Sequence, residues 1–298
     1  MKQKMTSNKV FIILVLGLAW LGCEVPSAPL ENVGDEMRLT NDPGPNRDPF
    51  WYTEGDPETL EGSQICYHDG RTIYLYDWDS GAISELYTAP EGYEITTLDK
   101  IMFWCHGQGY AFALHGEGQT VVIAIMNDEL EVELLRDSGP PIESFFVNYC
   151  DEDDMWNENN FALVISRNQN IYVLYTDGSD DDSRYAVYIC DGYDVSNYGD
   201  MSFFIRGEGV STSIWEFTFL TYNLILRLDD GHLNSYPLST LCVTDRGDTR
   251  DIWNYFLDYR VTSNEGEEKE LDINGHYVVF NRINDGQSDL YVARWVKQ

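Results

Sequence analysis

The chain has 298 residues, of which 51 are Asp or Glu and 19 are Lys or Arg, for a formal charge of −32. At 43% hydrophobic and 14% aromatic it still carries enough apolar surface for a large core, which excludes a disordered chain. A surface this acidic repels phosphate backbones and anionic headgroups, which excludes nucleic acid as a partner.

Lys2, Lys4 and Lys9 lead into an apolar run from Val10 to Leu21. The run is too short for a bilayer core, which takes about 20 residues, but fits the apolar region of an export signal. It ends in Trp20-Leu21-Gly22-Cys23, which resembles the bacterial lipobox, although Trp20 stands where that pattern has a smaller aliphatic residue. The resemblance implies a lipoprotein signal peptide over 1–22, cleavage before Cys23, and acylation of Cys23 as the only membrane attachment. Residues 23–35, with two Pro and no periodicity, read as a tether. Glu24 gives no Asp-type retention cue, so the expected location is the outer membrane, facing the periplasm or the cell surface. Five further cysteines (Cys66, Cys105, Cys150, Cys190 and Cys242) lack metal-ligand spacing. Export permits disulfides among them, and burial as small apolar residues is the alternative.

From residue 36 to 298 the sequence is a succession of short runs rich in β-branched and aromatic residues, broken by Gly, Asp and Asn. TIYLYDW, TVVIAIM, FALVI, NIYVLY, YAVYI, NLILRL, YVVFN and DLYVARW are the clearest. This predicts an all-β domain. IWNYFLDYR (252–260) is ambiguous, because its apolar residues also fit a helix face. One phrase, an apolar strand followed by acids and Gly, recurs as IYLYDWDSG (73–81), IYVLYTDG (171–178) and LILRLDDG (224–231). TVVIAIMND (120–128) and LYVARW (290–295) occupy the same place. Repeats of roughly 40–50 residues with about four strands each predict a β-propeller of five or six blades of four-stranded antiparallel sheet. The irregular last interval leaves room for part of a sixth blade around 241–262.

ICYHDGRTIYLYDWDSG (65–81) and YVVFNRINDGQSDLYVARW (277–295) resemble the repeat of TolB-like β-propellers, and LTNDPGPNRDPFW (39–51) resembles the segment that begins one. The match covers about a third of the chain and is poor in the middle. It implies that residues 37–40 form the outermost strand of the last blade, closing the ring. It also implies interactions with other envelope proteins.

Motifs for chemistry are sparse. GxSxG and HExxH are absent, and the five His (68, 106, 115, 232, 276) are scattered. Asp177, Ser179 and Asp181 alternate in DGSDDD, a spacing that suits a hard cation such as calcium, and Asp77 and Asp79 repeat it more weakly. No other cofactor is expected. Most of the 41 aromatic residues should pack between blades, but Trp78 and Trp156 lie in acidic turns. With Phe50 and Trp51 they are the expected binding contacts. The resulting expectation is a non-enzymatic envelope lipoprotein that binds a protein partner through its loops. The alternatives are a carbohydrate-binding or carbohydrate-active propeller, with polysaccharide as partner, and a calcium-dependent adhesion module.

Overall fold

The computed structural model describes residues 36–41, 44–103, 107–126, 130–149, 161–175, 185–198, 201–206, 213–218, 223–229, 241–244, 250–254, 259–262 and 266–295. Every regular element among them is a β-strand, and none of them belongs to a helix that could cross a membrane. The strand β1 (Glu36–Arg38) comes first and is accounted for last. A first sheet follows from β2 (Arg47–Thr53), β3 (Gln64–His68), β4 (Thr72–Asp77) and β5 (Ile83–Thr88). The second holds β6 (Tyr93–Phe103), β7 (Gly107–Gly116), β8 (Gln119–Met126) and β9 (Leu130–Asp137). The third holds β10 (Ser144–Tyr149), β11 (Phe161–Arg167), β12 (Asn170–Tyr175) and β13 (Tyr185–Asp191). A fourth is built from β14 (Tyr193–Tyr198), β15 (Met201–Arg206), β16 (Ser213–Thr218) and β17 (Asn223–Asp229). The fifth has three described strands, β18 (Leu241–Thr244), β19 (Asp251–Asn254) and β20 (Tyr259–Arg260). In the sixth, β21 (Glu267–Asn274), β22 (Tyr277–Asn284) and β23 (Gln287–Arg294) are joined by β1 at the edge.

All these pairings are antiparallel, and consecutive strands are neighbours, as short hairpins require. Three hairpins turn on two residues with positive φ: Glu117-Gly118 (51° and 75°), Asn168-Gln169 (51° and 58°) and Asp285-Gly286 (51° and 82°). That is the type I′ turn, whose twist matches the twist of the strands it connects. The recurring phrase of the sequence falls on β4, β8, β12 and β23, the third strand to be laid down in each sheet, but on β17, the fourth. The sheet at 241–260 lacks the phrase altogether. The segment that could have been helical supplies β19 and β20 instead.

The first strands of the sheets pack on one another in sequence: β21 on β2, β2 on β6, β6 on β10, β10 on β14, and β18 on β21. Four of these joins are each filled by an apolar cluster. Trp51, Leu60 and Ile65 meet Val279 and Val292 between the first and sixth sheets. Phe50, Cys66 and Ile73 meet Leu98, Phe112 and Ile123 between the first and second. Val122, Leu134 and Leu135 meet Phe145, Leu163 and Ile165 between the second and third. Val164, Val173 and Cys190 meet Val195 between the third and fourth. Cys66 and Cys190 are thus buried in different joins as small apolar residues. Sheets stacked by their faces around adjacent first strands make a β-propeller.

β1 pairs with β23 in the register Glu36↔Ala293, Met37↔Val292 and Arg38↔Tyr291, and the Leu39 amide extends the ladder to the Leu290 carbonyl. The N-terminal strand therefore covers the open edge of the last sheet.

Candidate functional site

The sixth and first sheets meet at a rim that the sequence places more than 200 residues apart. The loop from β2 to β3 is shaped by Asp56, whose Oδ1 accepts the Glu58 and Thr59 amides and the Thr59 hydroxyl. These three donors hold the Asp56 carboxyl below its ordinary range. Leu60, at φ 64°, folds the loop back so that its own side chain is buried in the join. The loop crosses to the β21–β22 turn, where the His276 amide donates to the Pro57 carbonyl and the Tyr277 hydroxyl to the Glu58 carbonyl. Gly275 (φ 54°) lies so close to Pro57 that any Cβ would collide with it.

Four half-buried aromatic side chains stand on this rim: Tyr76, Trp78, Tyr277 and Trp295. The Trp78 amide is anchored to the Ser63 carbonyl, and its ring meets Tyr76 edge to face at 6.5 Å. Trp295 donates its indole N–H to the Gly275 carbonyl at 3.1 Å. Glu58 lies among them, with Oε1 at 3.0 Å from His276 Nδ1 and Oε2 at 3.3 Å from Arg294 Nη2. The Arg294 guanidinium also rests 5.9 Å from the Tyr277 ring centre. Partly covered aromatics with one carboxylate and two basic groups between them can supply flat apolar contact and directional polar contact together.

Of the expected contacts among the described residues, Trp78 alone lies at this rim. Phe50 and Trp51 do not reach a surface: Phe50 is 4% exposed and Trp51 fully buried. The expectation that they contact a partner is corrected. As neighbours on β2 they point to opposite faces of the strand, and both faces are covered. Phe50 fills the join with the second sheet and Trp51 the join with the sixth. Trp156, the calcium candidates Asp177, Ser179 and Asp181, and the lipidation candidate Cys23 lie outside the described residues. At the weaker acidic turn, Asp77 Oδ1 accepts the Ser80 amide and hydroxyl, and Asp79 Oδ2 accepts the Gly62 amide. These carboxylates shape turns. Among the described residues no group of three or more His, Cys, Asp or Glu is arranged to hold a metal ion.

No motif or spacing marks Tyr277, Trp295, Glu58, His276 and Arg294 as one site. The only pointer was the expected closure of the ring, which makes the last sheet the neighbour of the first.

Two further clusters of charged residues lie among the packed strands. On the packed first strands, Asp48, Asp99, Asp272 and Lys100 influence one another, and desolvation together with the neighbouring acids pushes Asp99 up to about 8. Burial raises Asp272 as well, and its Oδ2 accepts the Trp51 amide at 2.8 Å. Asp48 accepts the Leu98 amide at 2.8 Å and lies 3.3 Å from His68 Nε2. His68 Nδ1 accepts the Gly70 amide, which puts the ring proton on Nε2, facing Asp48. The second group is Arg282, 2% exposed, with Glu36 Oε2 at 2.7 Å on Nη1 and Glu268 Oε1 at 2.7 Å on Nε. Burial pushes Glu268 up to about 7 despite that pairing. It joins the first described residue of the chain to the last sheet.

No family model and no curated protein sequence matches this chain. Solved structures do resemble it. An oligogalacturonate lyase from Vibrio parahaemolyticus aligns with a TM-score of 0.50 at 11% identity, over 86% of this chain and 79% of that one. The tricorn protease aligns with a TM-score of 0.53 at 15% identity, over 84% of this chain and 26% of that one. A chain of the nidogen/laminin complex aligns with a TM-score of 0.52 at 11% identity, over 79% and 99%. At these identities the likeness concerns the fold alone, and the fold is the β-propeller.

Proposed function

We propose that this protein is a non-enzymatic, lipid-anchored envelope protein whose TolB-like propeller recognises a protein partner at the rim where its first and last sheets meet. In this reading the signal peptide ends at Gly22, Cys23 carries the lipid, and residues 23–35 tether the domain to the outer membrane. All six sheets are blades of one ring. The observation that supports partner binding is the cluster of Tyr76, Trp78, Tyr277 and Trp295 around Glu58, His276 and Arg294. Tyr, Trp and Arg are the residues enriched at the centres of protein interfaces. The Tyr76–Trp78 pair is edge to face at 72°, so the rim offers separate anchors in place of one flat platform for a sugar ring.

A photoreactive phenylalanine analogue at position 78, irradiated in the native envelope, tests the reading by mass spectrometry of the adducts. One reproducible protein adduct, missing when the analogue replaces exposed Ile83 on β5, is the expected result. A polysaccharide adduct would favour the carbohydrate alternative. Equal adducts from both positions, or none, would overturn the proposal.

A further inference from the structure

Trp78 stands between two acids, Asp77 and Asp79, where the chain leaves β4. Both carboxylates are held by groups that carry no charge. Asp77 Oδ1 accepts the Ser80 hydroxyl at 2.6 Å and the Ser80 amide at 2.9 Å, which keeps the carboxyl below its ordinary range. Asp79 Oδ2 accepts the Gly62 amide at 3.0 Å. That bond sets Asp79 beside Glu61 and Ser63, and the Ser63 carbonyl accepts the Trp78 amide. Among the described residues no Lys, Arg or His pairs with Asp77 or Asp79. Glu58 differs, since its two oxygens already lie against His276 and Arg294. Asp79 and Glu61 are exposed and Asp77 is half-buried, so this acidic turn is open to another molecule.

The rings at this turn lack a cation as well. Tyr76 and Trp78 meet at 6.5 Å and 72°, which makes a corner with two differently directed rings. They pack on the apolar cluster of the join and remain half-buried. On the last sheet the chain covers its rings with its own arginines. Arg294 lies 5.9 Å from the Tyr277 centre, and Arg282 lies 4.6 Å from Tyr291 and 5.3 Å from Phe280. Among the described residues no Lys or Arg lies over Tyr76 or Trp78. An aromatic face carries partial negative charge, so rings flanked by unpaired carboxylates attract a cation. The formal charge of −32 acts in the same direction, repelling acidic surfaces and steering basic ones toward the chain.

We infer that the partner presents an arginine to this corner, with its guanidinium on the Tyr76 and Trp78 rings and its N–H groups donating to the flanking Asp77 and Asp79 carboxylates. A guanidinium suits the corner better than an ammonium, because it is planar and can stack on a ring while donating within its own plane. This contact rests on the reading that the rim takes a protein partner, and it adds the chemistry by which that partner is chosen.

The test has two arms. In the first, the whole protein, labelled with fluorotryptophan and held in detergent, is titrated with acetyl-Gly-Arg-Gly-amide and separately with its citrulline counterpart, which keeps the shape and loses the charge. The Trp78 signal is the one missing from Trp78→Phe. It should shift saturably with the arginine peptide and stay in place with the citrulline peptide. Asp77→Asn combined with Asp79→Asn keeps the acceptor oxygens that build both turns and removes only their charge. It should weaken the arginine peptide about tenfold. If that variant does not fold, Asp79→Asn alone decides by the same readout. In the second arm a photoreactive phenylalanine analogue replaces exposed Glu61 in the native envelope, which leaves the corner intact. Its protein adduct should fall in the Asp77→Asn, Asp79→Asn background. Equal responses to the two peptides, or no response to either, would overturn the arginine contact. An adduct undiminished by the double substitution would also overturn it while leaving the partner reading in place. Absence of any protein adduct in the parent background would overturn the partner reading itself.

Discussion

The join between the second and third sheets and the closure of the sixth by β1 are made of different material. In the first, Val122, Leu134, Leu135, Phe145, Leu163 and Ile165 interlock, and the one charged contact described beside them is the pair of Arg167 with Asp137. In the second, Arg282 binds Glu36 and Glu268, while Thr40, Asn46, Ser288 and Asp289 exchange hydrogen bonds beneath β1. The two sheets of the apolar join follow one another in the chain, and the connection between them limits where they can sit. The closure joins segments about 250 residues apart, and β1 has only three residues with which to find its register. Hydrophobic contact is non-directional and tolerates a slip, whereas a buried ion pair is costly in every register but one.

Replacing Arg282 with Met should break the contrast most sharply. It leaves Glu36 and Glu268 buried without their counter-charge, and urea denaturation should show a loss of about 3–5 kcal/mol. The loss should shrink as the pH falls below about 7, where Glu268, raised by burial even beside Arg282, is protonated with or without it. Leu163→Ala opens a cavity in the apolar join and should cost about 3 kcal/mol, with no change in that cost between pH 5 and 8. A pH-dependent loss for Leu163→Ala would mean that the two joins are coupled.

Asp99 and Glu268 sharpen the comparison through protons. Both carboxyls are raised, to about 8 and about 7, so the folded chain holds protons that the unfolded chain has released. Their contribution to stability is therefore undiminished below the ordinary carboxylate range and declines as the pH rises through 7 to 8. Asp99→Asn should flatten this decline and raise the melting temperature at pH 8 but not at pH 4. The opposite order would show that Asp99 is ionised and paired in the folded state. The smallest effect is expected for Arg136→Ala. Its ion pair with Glu133 is exposed by 50% and 43%, and its loss should shift stability by less than about 1 kcal/mol.

The hairpins were the most legible part of the chain. Asp285-Gly286 and the Asp69-Gly70 turn announce themselves, because few residues tolerate the backbone they need. Closure was legible only through the resemblance of LTND to the start of a repeat. The regular spacing failed at 224–231 because that phrase sits one strand later in its sheet than its counterparts. Phe50 and Trp51 misled for a physical reason. An alternating pattern marks a strand with one wet face, and the middle of β2 has none, so its adjacent bulky residues are both core. The aromatic rim was illegible apart from Trp78, since its other members become neighbours only when the ring closes.

The short strand β1 also sets how the domain responds to force. Any pull on the chain upstream of Glu36 arrives at the first residue of a three-residue strand on the edge of a sheet. The same residue carries the carboxylate held by Arg282. Rupture therefore begins by dragging one charge out of a buried pair, and the rest of β1 can peel only after that. Glu36 acts as a mechanical latch: β1 stays on the edge of the last sheet under small tugs, and a load that exceeds the latch strips β1 from β23 first.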